Sequence, residues 1–303
     1  MRIVSLVPHA TELLFALGLG DDVVGVTHEC DYPEAARSLP KITADRLPSG
    51  LSAAEIDAAV REHTRDGDAI YSLDEDALAD LTPDLIVTQE LCPVCAVSHD
   101  EVVAAAEKIE SCPRVISLDP HTIGESMADI RTLAQATGTR EAALDLVARQ
   151  RARIDAIALA TEKAEHRPAV AAIEWFDPVF AAGHWTPQMI ELAGGVDVIG
   201  FAGEKSEQVT WELVAASQPE VLLCIPCGYD ARRSLQEAEQ FADRIAAVGA
   251  ERVIALDASA YFSRPGPRLV DGLETLAHAL HPELVREAPG EVLEFSPDAA
   301  RPG

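Results

Sequence analysis

The cysteines are the residues of this chain whose types and spacing could do chemistry. Four of the six form two Cys-x-x-Cys pairs, Cys92 with Cys95 and Cys224 with Cys227. Two thiolates at this spacing can bind one metal ion from a single loop, and two such loops supply the four soft ligands that zinc or an iron–sulfur cluster prefers. Another cysteine and a histidine lie two residues apart in a predicted loop. The predicted metal ligands are Cys30, Cys92, Cys95, Cys224, Cys227 and His28.

Three other interpretations of the cysteine pairs stay open. The pairs could be facultative disulfides, small residues in tight turns, or a thioredoxin-type redox pair, although that fold's sequence context is missing. The segment between Cys95 and Cys224 is far too long for a zinc ribbon, so a four-thiolate site has to be assembled between two parts of the chain. Cys112, which precedes Pro113, is most simply a structural thiol.

Aromatic residues form a second group of candidates. The segment 174–178 follows a predicted strand, and the segment 183–187 opens a predicted helix. Flat aromatic walls suit a large planar ligand, and an arginine nearby could contact an anionic group such as a phosphate or carboxyl. The alternative is that one or more of these rings belongs to the ordinary core. The predicted ligand-binding residues are Glu174, Trp175, Phe176, Trp185, Tyr261 and Arg264.

The elements that must position these residues alternate between strands and helices. Apolar runs such as 83–88 and 219–225 are continuous, which is typical of parallel strands covered on both faces. Each of these two runs begins at a proline and leads directly into a Cys-x-x-Cys. Ligands bind beyond the carboxyl ends of such strands. The pattern predicts an α/β fold with two Rossmann-like lobes, a long backbone helix that bridges them, and a ligand cleft between the lobes.

The predicted organisation has four parts. An N-terminal α/β lobe covers 1–120, a helical linker covers 121–165, a C-terminal α/β lobe covers 166–287, and a mobile tail covers 288–303. The helical stretch is long enough for a helix of about 20 residues, which spans about 30 Å. The chain has no Gly-rich phosphate loop, Gly-x-Ser-x-Gly elbow or His-Glu-x-x-His motif, so we expect no enzyme here unless a cysteine or metal supplies the chemistry.

The composition of the chain excludes nucleic acid as a partner and indicates the environment in which the protein works. The 303 residues include 51 acidic and 24 basic side chains, for a net charge of −27. Such a chain repels phosphate backbones, which excludes nucleic acid, and the acidity with only 4 lysines predicts adaptation to salt in a halophilic organism. No apolar run is long enough to span a bilayer. Because no leader pattern precedes the first strand, we expect a cytoplasmic monomer, extracytoplasmic only if the true start lies upstream.

Several segments in order carry a resemblance to a known family. They are 2–8, 11–13, 31–33, 81–87, 193–195, 218–222 and 263–268. Together they resemble the helical-backbone (class III) solute-binding proteins of ABC transporters, most closely the vitamin B12 (cobalamin)-binding branch. The resemblance covers residues 2 to about 282.

The resemblance implies a clamp that binds cobalamin or another corrinoid between two lobes without catalysis. It also implies an ABC permease as partner, with Glu101 and Glu212 at the positions of the docking carboxylates. The chain departs from the family in lacking an export signal and in having cysteine pairs near the predicted cleft. The alternative function is therefore a cytosolic metal- or iron–sulfur-binding protein.

Overall fold

A computed structural model describes residues 1–48, 50–66, 70–90 and 96–296. The chain divides into two compact units. Unit 1 comprises Met1–Pro120 and Gly124–Val147, and unit 2 comprises His121–Ile123 and Ala148–Gly303. The division falls inside a long helix instead of at the ends of the predicted 121–165 linker.

Unit 1 contains a parallel sheet and a separate antiparallel pair of strands. In chain order the strands are β1 (Ile3–Ser5), β2 (Val23–Val26), β3 (Thr43–Asp45), β4 (Tyr71–Leu73), β5 (Leu85–Gln89) and β6 (Arg114–Leu118). The parallel sheet has the order β2-β1-β5-β6, and β3 pairs with β4. Strands β1 and β5 are buried along their whole length, as their continuous apolar sequence predicts.

The helices that cover this sheet begin at residues suited to helix starts. They are α1 (Pro8–Ala16), α2 (Glu34–Arg37), α3 (Ala53–Asp66), α4 (Glu75–Asp80), α5 (His99–Ala106) and α6 (Ile123–Thr137). Pro8 occupies the first turn of α1, where its missing N–H costs nothing. Asp74 and Ser98 cap α4 and α5 through their side-chain oxygens. Next comes α7 (Arg140–Thr161), after a break at Gly138, whose φ is +74°.

Unit 2 contains a mixed sheet with a parallel centre. Its strands are β7 (Ala169–Phe176), β8 (Val179–Ala181), β9 (Val196–Asp197), β10 (Glu207–Gln208), β11 (Val221–Cys224), β12 (Arg252–Ala255) and β13 (Leu293–Phe295). The order is β10-β8-β7-β11-β12-β13, with β9 also beside β7. Strands β7, β11 and β12 are parallel, so their carboxyl ends lie at one edge.

The helices of unit 2 pack on this sheet. They are α8 (Thr186–Leu192), α9 (Trp211–Ala216), α10 (Ala231–Gln240), α11 (Ala242–Val248), α12 (Ala258–Tyr261) and α13 (Leu269–Leu280). Thr210, Asp230 and Asp257 cap α9, α10 and α12. One core cluster joins apolar residues of β7, β11 and β12 to Ala238 and Ile245.

The alternation of strands and helices predicted from the sequence is confirmed, but the mobile tail is not. Within the segment 288–303, Leu293–Phe295 forms β13 and pairs with β12 in antiparallel register. Residues 297–303 lie outside the described part of the chain. In the described segments, no helix is both long enough and apolar enough to cross a membrane.

Candidate functional site

The carboxyl end of β7 carries a β-bulge at Glu174. Ile173 pairs with Ala181 and Trp175 pairs with Phe180, so Glu174 is an extra residue on β7 with no partner on β8. A bulge of this kind re-aims the side chain of the extra residue and is common beside functional sites. The backbone carbonyl of Glu174 accepts the N–H of Cys227 at 3.0 Å, which ties the bulge to the loop after β11.

Glu174 is half-buried, and its carboxyl group lies near the Ser206 hydroxyl instead of a charge. Burial raises the pKa of this carboxyl group to about 7, and the Ser206 hydroxyl opposes the rise. Among the described residues, no cation forms an ion pair with Glu174. The group therefore exchanges a proton near neutral pH, at the end of the strand where parallel sheets bind ligands.

Trp175 follows the bulge and is held by an aromatic neighbour. The Trp175 ring meets the Tyr229 ring edge to face, with centroids 5.9 Å apart. The Arg233 guanidinium lies over the Tyr229 ring, 3.7 Å from its centroid. Tyr229 is buried whereas Trp175 is half-buried, so the indole is the more accessible of the two rings. The Trp175 Nε1 atom has no hydrogen-bond partner among the described residues.

Two of the predicted ligand-binding rings belong to the core instead. Phe176 is 1% exposed and stacks against Trp211 and Phe241. Trp185 is 4% exposed, and its indole N–H donates to the carbonyl of Phe262 at 2.8 Å. The core alternative is therefore the correct one for both rings, since a side chain buried and satisfied in this way offers no ligand surface.

Tyr261 and Arg264 lie after β12, in the segment that the sequence assigns to the site. Both are half-buried. A Cβ atom at Gly290 would lie 2.5 Å from Cε2 of Tyr261, so the tyrosine ring packs closely against that backbone. The Arg264 charge lowers the pKa of Asp257, whose net pKa is raised because burial dominates. The position of Arg264 thus agrees with a site at this edge, and its contact with a ligand stays a prediction.

The predicted metal ligands do not form a metal site in the described residues. Cys224 is fully buried in the unit 2 core, and burial raises its thiol pKa to about 12, so it offers no thiolate. Cys227 lies three residues beyond the end of β11 and is exposed. Cys92 and Cys95 lie outside the described residues. Within the described ranges, no group of three or more His, Cys, Asp and Glu side chains could hold a metal ion.

His28 and Cys30 are engaged in unit 1. The His28 Nδ1 atom lies 2.7 Å from the Thr43 hydroxyl, and its ring meets Tyr71 edge to face at 4.9 Å. The Cys30 Sγ atom is buried and lies 3.0 Å from the Thr11 hydroxyl. These contacts explain both side chains as parts of local polar networks.

The two predicted docking carboxylates each occupy the first turn of a helix. Glu101 lies in α5, where its N–H donates to the Ser98 hydroxyl at 3.2 Å. Glu212 lies exposed in α9, and backbone and Thr210 hydrogen bonds lower its pKa. A carboxylate at this place also interacts favourably with the helix dipole.

The sequence interpretation missed Tyr229, Arg233 and Ser206. Tyr229 and Arg233 flank Asp230, whose side chain caps α10. An aromatic residue between a strand end and a helix N-cap could have signalled a place at the carboxyl edge. Ser206 carries no such signal, because it reaches Glu174 only through the tertiary fold.

Comparison with known proteins decides the family. Residues 3–260 match the family described as Periplasmic binding protein. The chain belongs to this family. Among relatives of this periplasmic binding protein, the vitamin B12-binding protein of Vibrio cholerae serotype O1 is 26% identical over 284 residues, covering 90% of this chain and 86% of that protein. The uncharacterized ABC transporter substrate-binding lipoprotein YvrC of Bacillus subtilis is 24% identical, covering 94% and 82%.

Solved structures agree with the two-lobed fold of the family. The apo form of the periplasmic heme-binding protein RhuT from Roseiflexus sp. RS-1 has a TM-score of 0.67 at 27% identity, covering 92% of this chain and 97% of that chain. The periplasmic vitamin B12-binding protein BtuF of Vibrio cholerae has a TM-score of 0.66 at 21% identity, covering 94% and 98%. The predicted α/β class and the family resemblance are both confirmed.

The cytoplasmic location expected from the sequence is wrong. The matched family is described as periplasmic, and the relatives include proteins named as periplasmic or as a lipoprotein. The expectation depended on the first residues of the chain, which do not decide where a binding protein works. The comparisons also give no support to zinc, to an iron–sulfur cluster or to a halophilic origin.

Proposed function

We propose that this periplasmic binding protein captures a tetrapyrrole outside the cytoplasm, with cobalamin as the first choice, and delivers it to an ABC permease. Its role is to bind and release, with no bond made or broken. Relatives named as vitamin B12-binding and heme-binding proteins support a large planar ligand. The choice between these ligands has to rest on the chemistry of the site.

The accessible indole of Trp175 is the observation that carries this proposal. The ring lies at the carboxyl end of β7, supported by Tyr229 and next to the half-buried carboxyl of Glu174. A planar macrocycle stacked on the indole would remove about 100 Å² of apolar surface, which corresponds to about 2.5 kcal/mol. The edge-to-face contact with Tyr229 limits the motion of the ring, so little conformational entropy is lost on binding.

Titration of the purified protein with hydroxocobalamin tests the proposal. We expect saturable quenching of indole emission and a shift of the corrinoid visible bands. Trp175→Ala should weaken binding by at least tenfold. The matched control is Trp211→Phe, because Trp211 stacks with Phe176 and Phe241 away from the bulge and phenylalanine preserves that stack. If neither hydroxocobalamin nor hemin binds at micromolar concentration, the proposed function is wrong.

We propose Glu101 and Glu212 as the contacts to the permease. Both carboxylates lie in first helical turns, where a negative charge interacts favourably with the helix dipole. Glu212→Gln should lower ligand uptake by reconstituted permease at least fivefold without changing ligand affinity. Glu239→Gln is the matched control for Glu212→Gln, and Glu107→Gln is the matched control for Glu101→Gln. Both control carboxylates are exposed. Uptake equal to that of the controls would remove this role.

A further inference from the structure

We propose that Glu174 makes the site prefer a macrocycle whose periphery carries carboxamides over one whose periphery carries carboxylates. The inference rests on the proposed function, because it assumes that the ligand lies against Trp175. Glu174 would then determine ligand specificity, and it is the extra residue of the bulge on β7, with no partner on β8.

The first support is the direction of the backbone at Glu174. In a regular strand, side chains alternate between the two faces, and Ile173 and Phe176 are both fully buried. The bulge inserts Glu174 between residues that keep their pairing with β8. Its carbonyl is fixed by the Cys227 N–H, so the residue is held at the strand end although it has no ladder partner.

The second support is the charge environment of the carboxyl. The segment beside it contributes the Ser206 hydroxyl together with the exposed Glu204 and Lys205, and Glu204 accepts the N–H of His184 through its backbone carbonyl. The β11 side contributes Cys227. Burial raises the pKa of Glu174, the Ser206 hydroxyl opposes the rise, and none of these charges contributes to the shift. Among the described residues no cation is paired with this carboxyl, and Arg264, the predicted contact for an anionic group, acts on Asp257 instead.

The third support is the match between hydrogen-bonding groups. A protonated carboxyl donates O–H to an amide carbonyl and accepts an amide N–H, and an ionised carboxyl still accepts the N–H. An amide therefore suits Glu174 in both protonation states. A ligand carboxylate suits only the protonated form, because two carboxylates in contact cannot both ionise. Binding of a carboxylate-bearing ligand must take up a proton and weaken as the pH rises through about 7.

A matched pair of corrinoids tests this inference. Dicyanocobinamide carries amides, and dicyanocobyrinic acid carries carboxylates on the same macrocycle. We expect the wild-type protein to prefer the cobinamide, with a preference that grows at least tenfold between pH 6.0 and pH 8.5. Glu174→Gln should abolish this growth. Glu204→Gln is the matched control, because it removes an equal charge from an exposed position in the neighbouring segment.

A second variant probes the same group without replacing it. Ser206→Ala removes the neighbouring hydroxyl that opposes the rise in the pKa of Glu174, so the growth of the preference should move to higher pH. If Glu174→Gln and Glu204→Gln keep the same pH dependence while cobinamide binds, the inference is overturned and the proposed function stands. If neither corrinoid binds, the inference is overturned, and the proposed function is overturned with it only if hydroxocobalamin and hemin also fail to bind.

Discussion

The guanidinium carbon of Arg233 lies 3.7 Å from the centroid of the Tyr229 ring. Arg233 itself is exposed, whereas Tyr229 is buried and supports the Trp175 indole. The cation thus covers the ring that fixes the proposed ligand surface. Arg233 supports the indole through the Tyr229 ring, which makes it a positioning residue.

Replacing Arg233 tests this chain of contacts. Arg233→Met should lower the free energy of unfolding by about 1 kcal/mol, because the cation–π contact is lost at a partly exposed place. It should also broaden the indole emission and weaken hydroxocobalamin binding severalfold. Arg232→Met is the matched control, since Arg232 is exposed and forms a 3.4 Å ion pair with Glu291. Equal effects of the two variants would contradict the positioning role.

The ion pair between α7 and α13 should contribute to the stability of unit 2. Arg153 reaches Glu274 through Nε at 2.8 Å and Asp271 through a terminal nitrogen at 2.6 Å. Arg153→Gln should lower the free energy of unfolding by about 1–2 kcal/mol, because the partly exposed pair is screened by solvent. Urea denaturation measures the loss, which should shrink in 1 M salt. Arg151→Gln, at an exposed position of α7, should change nothing measurable.

Asp129 on α6 should make stability depend on pH. Burial, assisted by the charges of Glu125 and Asp119, raises the pKa of Asp129 from 3.8 to about 7. Between these values the folded chain holds a proton that the unfolded chain has lost, so the contribution of Asp129 to stability falls as the pH rises. Asp129→Asn should add about 1–2 kcal/mol to the free energy of unfolding at pH 8 and less at pH 5.

Urea denaturation at both pH values checks the Asp129 prediction. The matched control is Asp145→Asn, because Asp145 is exposed on α7. A gain from Asp129→Asn that is as large at pH 5 as at pH 8 would show that the carboxyl does not titrate in this range.

Thiol labelling should separate Cys224 from Cys112. Burial raises the pKa of Cys224 to about 12 and covers its sulfur, whereas Cys112 is exposed. Iodoacetamide at pH 8 should label Cys112 in the native protein and Cys224 only in urea. Mass spectrometry of the digested protein gives the ratio. Equal native labelling would restore Cys224 as a candidate metal ligand.

The sequence was sufficient for the elements with strong patterns. The Pro-led runs predicted β5 and β11 closely, and Gly138 marks the break between α6 and α7. The sequence did not predict β3, β4, β8, β9, β10 or β13, because strands of two or three residues show no periodicity. Each of them forms by pairing with another strand: β3 with β4, β8 and β9 with β7, β10 with β8, and β13 with β12.

The candidate site was less predictable from the sequence, because the geometry of β7 and β11 decides which side chains join the core and which remain accessible. Trp175 and Phe176 are neighbours in the sequence, yet Phe176 joins the core while Trp175 remains half-buried. The bulge at Glu174 resets which residue faces which side, and no local sequence pattern shows it. Likewise, the spacing of Cys224 and Cys227 indicates a ligand pair, but Cys224 is still part of β11 and points into the core.

The unpaired residue of β7 also determines what a change in chain length would do here. Because Trp175 pairs with Phe180 and Phe176 pairs with Val179, removing Glu174 would leave an unbroken ladder in which both rings keep their partners and their faces. A single-codon deletion at this point would therefore take away the carboxyl group and leave the aromatic residues of the strand in their present pairing.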